Sequence, residues 1–321
     1  NGSSTVGIYA REVADLLIYN NTINSWGDGV FLYSDSFDIN VSSNTIVTNG
    51  GYGDGVVVND CYNSSIDRNN ITTYNSDADG LGFYYCNNIS AETNNISTYG
   101  STSNGVYFQY GSNVSVVDNT ITTNCTNCAG FMFFADSDEN EIINNTIIKS
   151  FNDAIVLNAQ SGGYNPDNNI FRNNVLNNIS RYDIYIMDED IVGTTLINQP
   201  IANYSFVDDG IIFSFEDTNH GGVDFFEPIN GTGTNLSNGI QISYNYISVD
   251  SETQAGLNRS AQITFEGLSY APQLQLLKDG VRCDQGDECN ITSWDGSTLV
   301  ANVSSFSTYT TADASYTLLS G

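Results

Sequence analysis

The sequence predicts an all-β chain: a right-handed parallel β-helix over residues 1–198, followed by a small antiparallel β-sandwich over residues 199–321. Three observations carry this expectation. A phrase that opens on Gly and closes on Asn-x-Ile returns about every 25 residues through the first part of the chain. The runs inside each phrase are short, β-branched or aromatic, and bounded by Gly, Asn, Asp and Ser, which is how strands are punctuated. Around Asn198-Gln199-Pro200 the period is lost, and alternating runs separated by polar loops take over.

The repeat comes first because it decides the architecture. The closing isoleucines Ile23, Ile46, Ile71, Ile96, Ile121 and Ile147 are separated by 23, 25, 25, 25 and 26 residues, with Val175 as a looser seventh 28 residues on. Two residues before each stand Asn21, Asn44, Asn69, Asn94, Asn119, Asn145 and Asn173. The opening glycines are Gly7, Gly29, Gly55, Gly80, Gly105 and Gly130, and Ala154 takes their place in the seventh phrase. No window sustains helical spacing, which excludes leucine-rich and ankyrin repeats. One phrase then makes one coil, with neighbouring coils about 4.8 Å apart. Right-handed winding follows from the hand that parallel crossovers take. Asn suits a sharp coil corner because it tolerates left-handed backbone. Stacked in register, its amide can bond the same amide one rung away.

Strand alternation sorts the side chains. The first and third residues after each Gly (Val30/Leu32, Val56/Val58, Leu81/Phe83, Val106/Phe108, Phe131/Phe133, Ile155/Leu157, Ile184/Ile186) are expected inside. The second and fourth point outward, yet they include Phe31, Tyr33, Tyr84, Tyr107, Met132, Phe134 and Tyr185. An outward apolar stripe marks a covered surface. It is read as an interface with another subunit, the other readings being cover by the sandwich and a platform for sugars. Beyond 198, residues 211–215, 240–244, 261–265 and 299–303 read as short sandwich strands.

Net charge is −29, from 37 acidic and 8 basic residues. That argues against nucleic acid or an anionic membrane as a partner, and no apolar run is long enough to span a bilayer. Seventeen Asn-x-Ser/Thr sequons point to an exported chain carrying covalent N-glycans: Asn1, Asn20, Asn40, Asn63, Asn70, Asn88, Asn95, Asn113, Asn124, Asn144, Asn178, Asn203, Asn230, Asn235, Asn258, Asn290 and Asn302. The cysteines agree with export. Cys61 and Cys86 each fall six residues after an opening glycine, so they occupy one place on adjacent coils and are expected to bond. Cys125 with Cys128, and Cys283 with Cys289, would each close a small loop. A zinc site needs a second Cys pair near Cys-x-x-Cys, and none follows.

Asp28, Asp54, Asp79 and Asp153 precede the opening residue of their coils. They are read as turn residues rather than a Ca²⁺ or sugar-binding column. Asp284, Asp287 and Glu288 are read as a solvated loop rather than a calcium site. Calcium is the one ion these acids suit; no metal site, cofactor or catalytic residue is assigned.

The phrases Val6-Gly7-Ile8-Tyr9 and Tyr19-Asn20-Asn21-Thr22-Ile23 resemble the NosD-like right-handed β-helix repeat family. The tail is similar to the C-terminal modules of archaeal exported surface proteins. It carries that likeness in Asn230-Gly231-Thr232, Leu257-Asn258-Arg259-Ser260-Ala261, Lys278-Asp279-Gly280-Val281 and Val303-Ser304-Ser305-Phe306-Ser307-Thr308-Tyr309. The repeat resemblance implies a fold and is nearly silent on function. Polygalacturonase-like members carry Gly-His-Gly and Arg-Ile-Lys, and epimerases of this fold carry Asp-Pro-His-Glu. Here the sole histidine, His220, lies outside the coils in Asn219-His220-Gly221-Gly222. The expectation is a structural or adhesive surface glycoprotein assembling head-to-tail into filaments, with Ala314–Leu319 as a strand covering the next subunit's first coil. The alternative is a carbohydrate-active enzyme or sugar-binding module.

Overall fold

The computed structural model describes residues 5–159, 163–187, 190–269 and 274–313. Asn1 and the strand expected over 314–319 lie outside them. The first part is a parallel β-helix whose coils each contribute up to three strands. The first face starts at the opening glycines and includes Val30–Phe37, Leu81–Tyr84, Val106–Gln109, Ala129–Phe134 and Asp153–Asn158. The second includes Asn40–Ser42, Asn87–Glu92, Ser112–Val117 and Glu141–Ile143, and Val56–Asp67 runs through both. The third is a seven-stranded parallel sheet from Thr22–Ser25 to Val175–Leu176.

Equivalent positions stack because the register is kept. Val106 pairs with Leu81 and Phe131, and Ile96 with Ile71 and Ile121. All fourteen side chains expected inside the first face have no solvent exposure. Phe83, Phe108 and Phe133 form an internal column, with centroids 5.3 and 4.3 Å apart. The opening glycine is required by close approach: a Cβ on Gly80 would sit 2.2 Å from Ile96 Cγ2 and 2.5 Å from the Gly105 carbonyl oxygen.

Buried asparagines hold the coils in step. Asn94 Oδ1 accepts the backbone N–H of Asn69 at 2.9 Å and its amide at 3.0 Å. Its own Nδ2 donates to Asn119 Oδ1 at 3.0 Å and to the Ile66 carbonyl at 2.8 Å. The pattern recurs at Asn44, Asn69, Asn119 and Asn145. The seventh rung is Asn174, not Asn173: Asn145 Nδ2 donates to Asn174 Oδ1 at 3.0 Å. Leu176, not Val175, pairs with Ile147, and Val175 is exposed. One extra residue in that coil shifts the phrase by one place, which turns every side chain to the other face.

The coils also continue where the phrase fades. Gln199 Oε1 accepts from Asn174 Nδ2 at 2.8 Å and supplies an eighth rung. Parallel pairing persists past 198, joining Tyr204–Ile211 to Ile184–Ile186 and Phe213–Asp217 to Thr194–Ile197. The chain then reverses. Gly221–Phe225 pairs antiparallel with Phe213–Asp217, and Ala261–Phe265, Leu299–Val303 and Cys289–Trp294 follow in the same sheet. A separate five-stranded antiparallel sheet, including Ile240–Ser243, Tyr246–Val249 and Thr308–Asp313, completes the small C-terminal β domain. One of its sheets therefore grows directly from the β-helix and pairs the edges of its last coils, which removes a template for unwanted strand addition.

Cys125–Cys128 and Cys283–Cys289 are bonded, whereas Cys61 and Cys86 are buried free thiols. Lying between the flanking pairs Asn59↔Tyr84 and Tyr62↔Asn87, they occupy equivalent places on adjacent rungs. In-register stacking holds such Cβ atoms at about the strand spacing of 4.8 Å, longer than the roughly 3.8 Å a disulfide prefers. Cys61 Sγ instead donates to the Asn59 carbonyl at 3.1 Å. Burial pushes the Cys61 thiol up to about 11 and raises Cys86 as well, so neither ionises readily.

Without reductant, a maleimide mass tag should therefore add twice per chain after unfolding and not at all to the folded protein. A count of zero after unfolding would mean that the two thiols are bonded. For the ladder, Asn94→Leu strands the groups of Asn69, Asn119 and Ile66 and should cost about 2–4 kcal/mol, read as a lower urea midpoint. An unchanged midpoint would deny the ladder its role.

Candidate functional site

The outward side of the first face is the candidate site. Strand alternation places Phe31, Tyr33, Tyr84, Tyr107, Met132, Phe134 and Tyr185 there, all half-exposed. Among the described residues the C-terminal domain does not fold back over them; its contacts with the rest run through the last coils. Rings meet along the stack: Tyr9 with Phe31 at 5.6 Å, Phe31 with Tyr33 at 5.5 Å and Tyr84 with Tyr107 at 5.6 Å. Guanidinium groups lie at its two ends, Arg11 over Tyr33 at 5.7 Å and Arg181 over Tyr185 at 4.4 Å. Such cation–π contacts keep charge over apolar surface without burying it.

Beside the middle of the stripe runs the aspartate column. Each acid accepts the backbone N–H of the same place on the next coil: Asp28 Oδ1 from Asp54 at 3.0 Å, Asp54 Oδ1 from Asp79 at 2.7 Å and Asp79 Oδ1 from Asn104 at 2.5 Å. Asn104 Oδ1 does the same for Ala129 at 2.8 Å. The turn role expected for these residues is thus a hydrogen-bonded ladder. Asp54 and Asp79 are buried one rung apart. Desolvation, reinforced by the charges of Asp79 and Asp28, raises Asp54 well above the ordinary carboxylate range. Desolvation pushes Asp79 up to about 7 against the opposing bonds from Asn104. Burial also raises the Tyr84 and Tyr107 hydroxyls, which stay protonated. The Tyr84 hydroxyl donates to Asp54 Oδ2 at 3.4 Å. Gly82 makes room, since a Cβ there would come within 2.6 Å of Tyr84 Cε2. In the seventh coil the column resumes at Asp153, whose carboxylate is gripped by Arg181 through Nε at 2.8 Å and through Nη2.

Asp284 takes a two-pronged contact from Arg282, at 2.6 and 3.1 Å. Asp217 Oδ1 lies 2.7 Å from Nδ1 of His220 in the hairpin after the last coil. Among the described residues no group of three or more His, Cys, Asp or Glu is arranged to hold a metal ion. A cleft of about 560 Å³ lies between the last coil and the C-terminal domain, lined by Leu196, Pro200, Phe215, Glu216 and Ile240 among others. No sequence signal marks it, because its walls come from segments far apart in the chain.

The sequon asparagines divide cleanly from the ladder ones. Of the seventeen, Asn1 is outside the described residues, and the other sixteen are all exposed or half-exposed. Ladder residues Asn44, Asn69, Asn94, Asn119, Asn145 and Asn174 are 0–1% exposed. Sequons on neighbouring coils stand in columns, Asn88 Nδ2 donating to Asn63 Oδ1 at 2.7 Å and Asn95 Nδ2 to Asn70 Oδ1 at 3.0 Å.

The buried acids set a pH dependence. A carboxyl whose folded pKa is raised binds its proton more tightly in the folded state, so its contribution is greatest below the unfolded value near 4. That contribution is lost as pH rises through about 7, where Asp79 titrates. The thermal midpoint should fall between pH 4 and pH 8. Asp79→Asn keeps the acceptor for Asn104 and should raise the midpoint at pH 8 while flattening the slope. Equal slopes for variant and parent would show that Asp79 titrates normally.

The sequence profile described as "Right handed beta helix region" matches residues 1–73 and 51–201, together 201 of the 321 residues. No curated protein matches the sequence. Among solved structures, the tailspike protein gp49 from Acinetobacter baumannii bacteriophage Fri1, described as a capsular polysaccharide depolymerase, aligns at 10% identity. The alignment covers 95% of this chain and 69% of that one, with a TM-score of 0.19, an overlap too slight to bear on function. The profile match and the coil geometry agree: the chain belongs to the right-handed β-helix family.

Proposed function

We propose that this chain is an exported, N-glycosylated structural or adhesive protein of the cell exterior, meeting further copies of itself through the first-face stripe to build filaments. The observation that carries the reading is the sorting of asparagines: all sixteen described sequon asparagines lie at the surface, while no buried rung is itself a sequon's acceptor asparagine. Two disulfides fit an oxidising compartment. The stripe suits protein contact because its acids are held toward the neutral form, so little of the net charge of −29 is concentrated there. Half-exposed rings grouped along one face are the kind of surface that association covers.

A second reading, binding or cutting of a polysaccharide, draws on the raised acids Asp54 and Asp79 beside Tyr84 and Tyr107. Perturbed carboxyls beneath aromatic rings are the raw material of acid–base chemistry.

The test is to express the chain in an N-glycosylating host and combine intact mass with sedimentation over a concentration series. We expect mass above the bare polypeptide, and association lost in the Phe31→Ser, Tyr107→Ser, Phe134→Ser triple variant. A chain of bare mass that stays monomeric at high concentration removes the proposal. Shortened or unsaturated products from pectin or alginate with added Ca²⁺ would install the second reading instead.

A further inference from the structure

One corner of the β-helix pairs an aromatic ring with a sequon in a way that the coil itself does not require. Tyr85-Cys86-Asn87-Asn88-Ile89-Ser90 recurs one coil later as Tyr110-Gly111-Ser112-Asn113-Val114-Ser115, each with a tyrosine three residues before a sequon asparagine. Tyr85 and Asn88 both adopt left-handed backbone, with φ of 49° and 56°, and Tyr110 and Asn113 repeat this at 57° and 54°. The chain bends twice around the buried Cys86, which leaves the Tyr85 and Asn88 side chains exposed.

A left-handed backbone is comfortable for Asn and unfavourable for a bulky ring. The corner does not need a ring to form. The matching place is Asp60 in the preceding coil and Ala135 in the coil after Tyr110, both with the same left-handed φ, 54° and 57°. Tyr85 nevertheless stands 59% exposed, stacked on Tyr110 with centroids 4.7 Å apart and planes 15° apart. Stacking covers one ring face, and the other lies on the side of the coil that carries Asp60. A strained residue holding an apolar ring in solvent points to something that the ring contacts. The sequon three residues on supplies it.

We infer that the first sugar of an N-glycan on Asn88 is seated against the ring of Tyr85; Tyr110, stacked on Tyr85 and met edge-on by Tyr164 at 6.1 Å, backs the seat. This rests on the glycoprotein reading above. The C–H face of a pyranose is apolar and fits flat on an aromatic face, a large contact between rigid bodies. Glycosylation replaces one of the two hydrogens on Asn88 Nδ2. The other remains for the 2.7 Å bond to Asn63 Oδ1, which fixes the direction in which the sugar leaves. The seat explains why a ring occupies the left-handed Tyr85 corner where Asp60 and Ala135 serve on other coils.

The test uses the full chain from a host that adds oligomannose glycans, trimmed enzymatically to a single N-acetylglucosamine per site. Thermal midpoints are measured for the parent, Asn88→Gln, Tyr85→Asn and the double variant. Asn at position 85 suits the left-handed backbone, and Tyr85→Phe restores a ring. Removing the Asn88 sugar should lower the midpoint by about 2 °C in the parent and in Tyr85→Phe, and leave it unchanged in Tyr85→Asn. Equal loss in every background, with the Asn88 peptide carrying its sugar by mass, overturns the seat. An Asn88 peptide bare while other sequons are occupied also overturns it and leaves the glycoprotein reading standing. A chain bare at every sequon ends both.

Discussion

Everything in the β-helix depends on a buried carboxamide finding its partners one rung away. Asn94 uses its oxygen twice and its nitrogen twice, all within the core. Left unsatisfied in so dry a place, any of these groups would cost more than a good bond contributes. The ladder thus acts as a register lock. It tolerates a coil of 29 residues between Asn145 and Asn174, because the rung is defined by the amide and not by the loop length. It even accepts Gln199, whose longer side chain reaches the same acceptor position.

In-register stacking has a cost that the same architecture must absorb. What sits at one place on a coil is repeated at strand spacing on the next, which is favourable for Ile or Phe and unfavourable for Asp. The column from Asp28 to Asp153 shows three responses. Asp54 and Asp79 are held toward the protonated form chiefly by burial, with Asp79 and Asp28 adding to it at Asp54 and Asp77 at Asp79. The next rung is Asn104, which offers the same oxygen without the charge. Asp153 keeps its charge and takes Arg181 as a partner, with the guanidinium spread over Tyr182 and Tyr185. Each response leaves the solvent side of the first face poor in net charge and rich in rings.

The surface follows the same periodic logic. Sequons arrive in columns because coils arrive in register, so Asn63 and Asn88, or Asn70 and Asn95, stand beside one another. The Tyr85–Tyr110 stack belongs to this pattern, and so does the exposed Tyr74–Tyr99 stack at another corner, at 5.2 Å. A solenoid that writes one surface motif several times along its length suits repeated contact, whether with covalent sugars or with another chain.

The sequence alone determined the β-helix, the inward assignment of the fourteen first-face core residues, the six closing isoleucines and the opening glycines, while Val57 and Val156, expected outside, are buried. These are local and periodic properties: a period-two strand pattern inside a 25-residue repeat needs no knowledge of distant contacts. Where the spacing relaxed, the reading slipped. Asn173 stands one place before the true rung, since two adjacent asparagines cannot be told apart without seeing which amide is buried. Continuation of parallel pairing past 198 was illegible, because Thr194–Ile197 and Phe213–Asp217 keep the backbone ladder without its residue signature. The free state of Cys61 and Cys86 was decided by geometry: identical offsets mean neighbouring rungs, and neighbouring rungs hold Cβ atoms farther apart than a disulfide prefers. The neutral tendency of Asp54 and Asp79 likewise belongs to the tertiary structure, because only folding removes water from two acids that lie 25 residues apart in the chain.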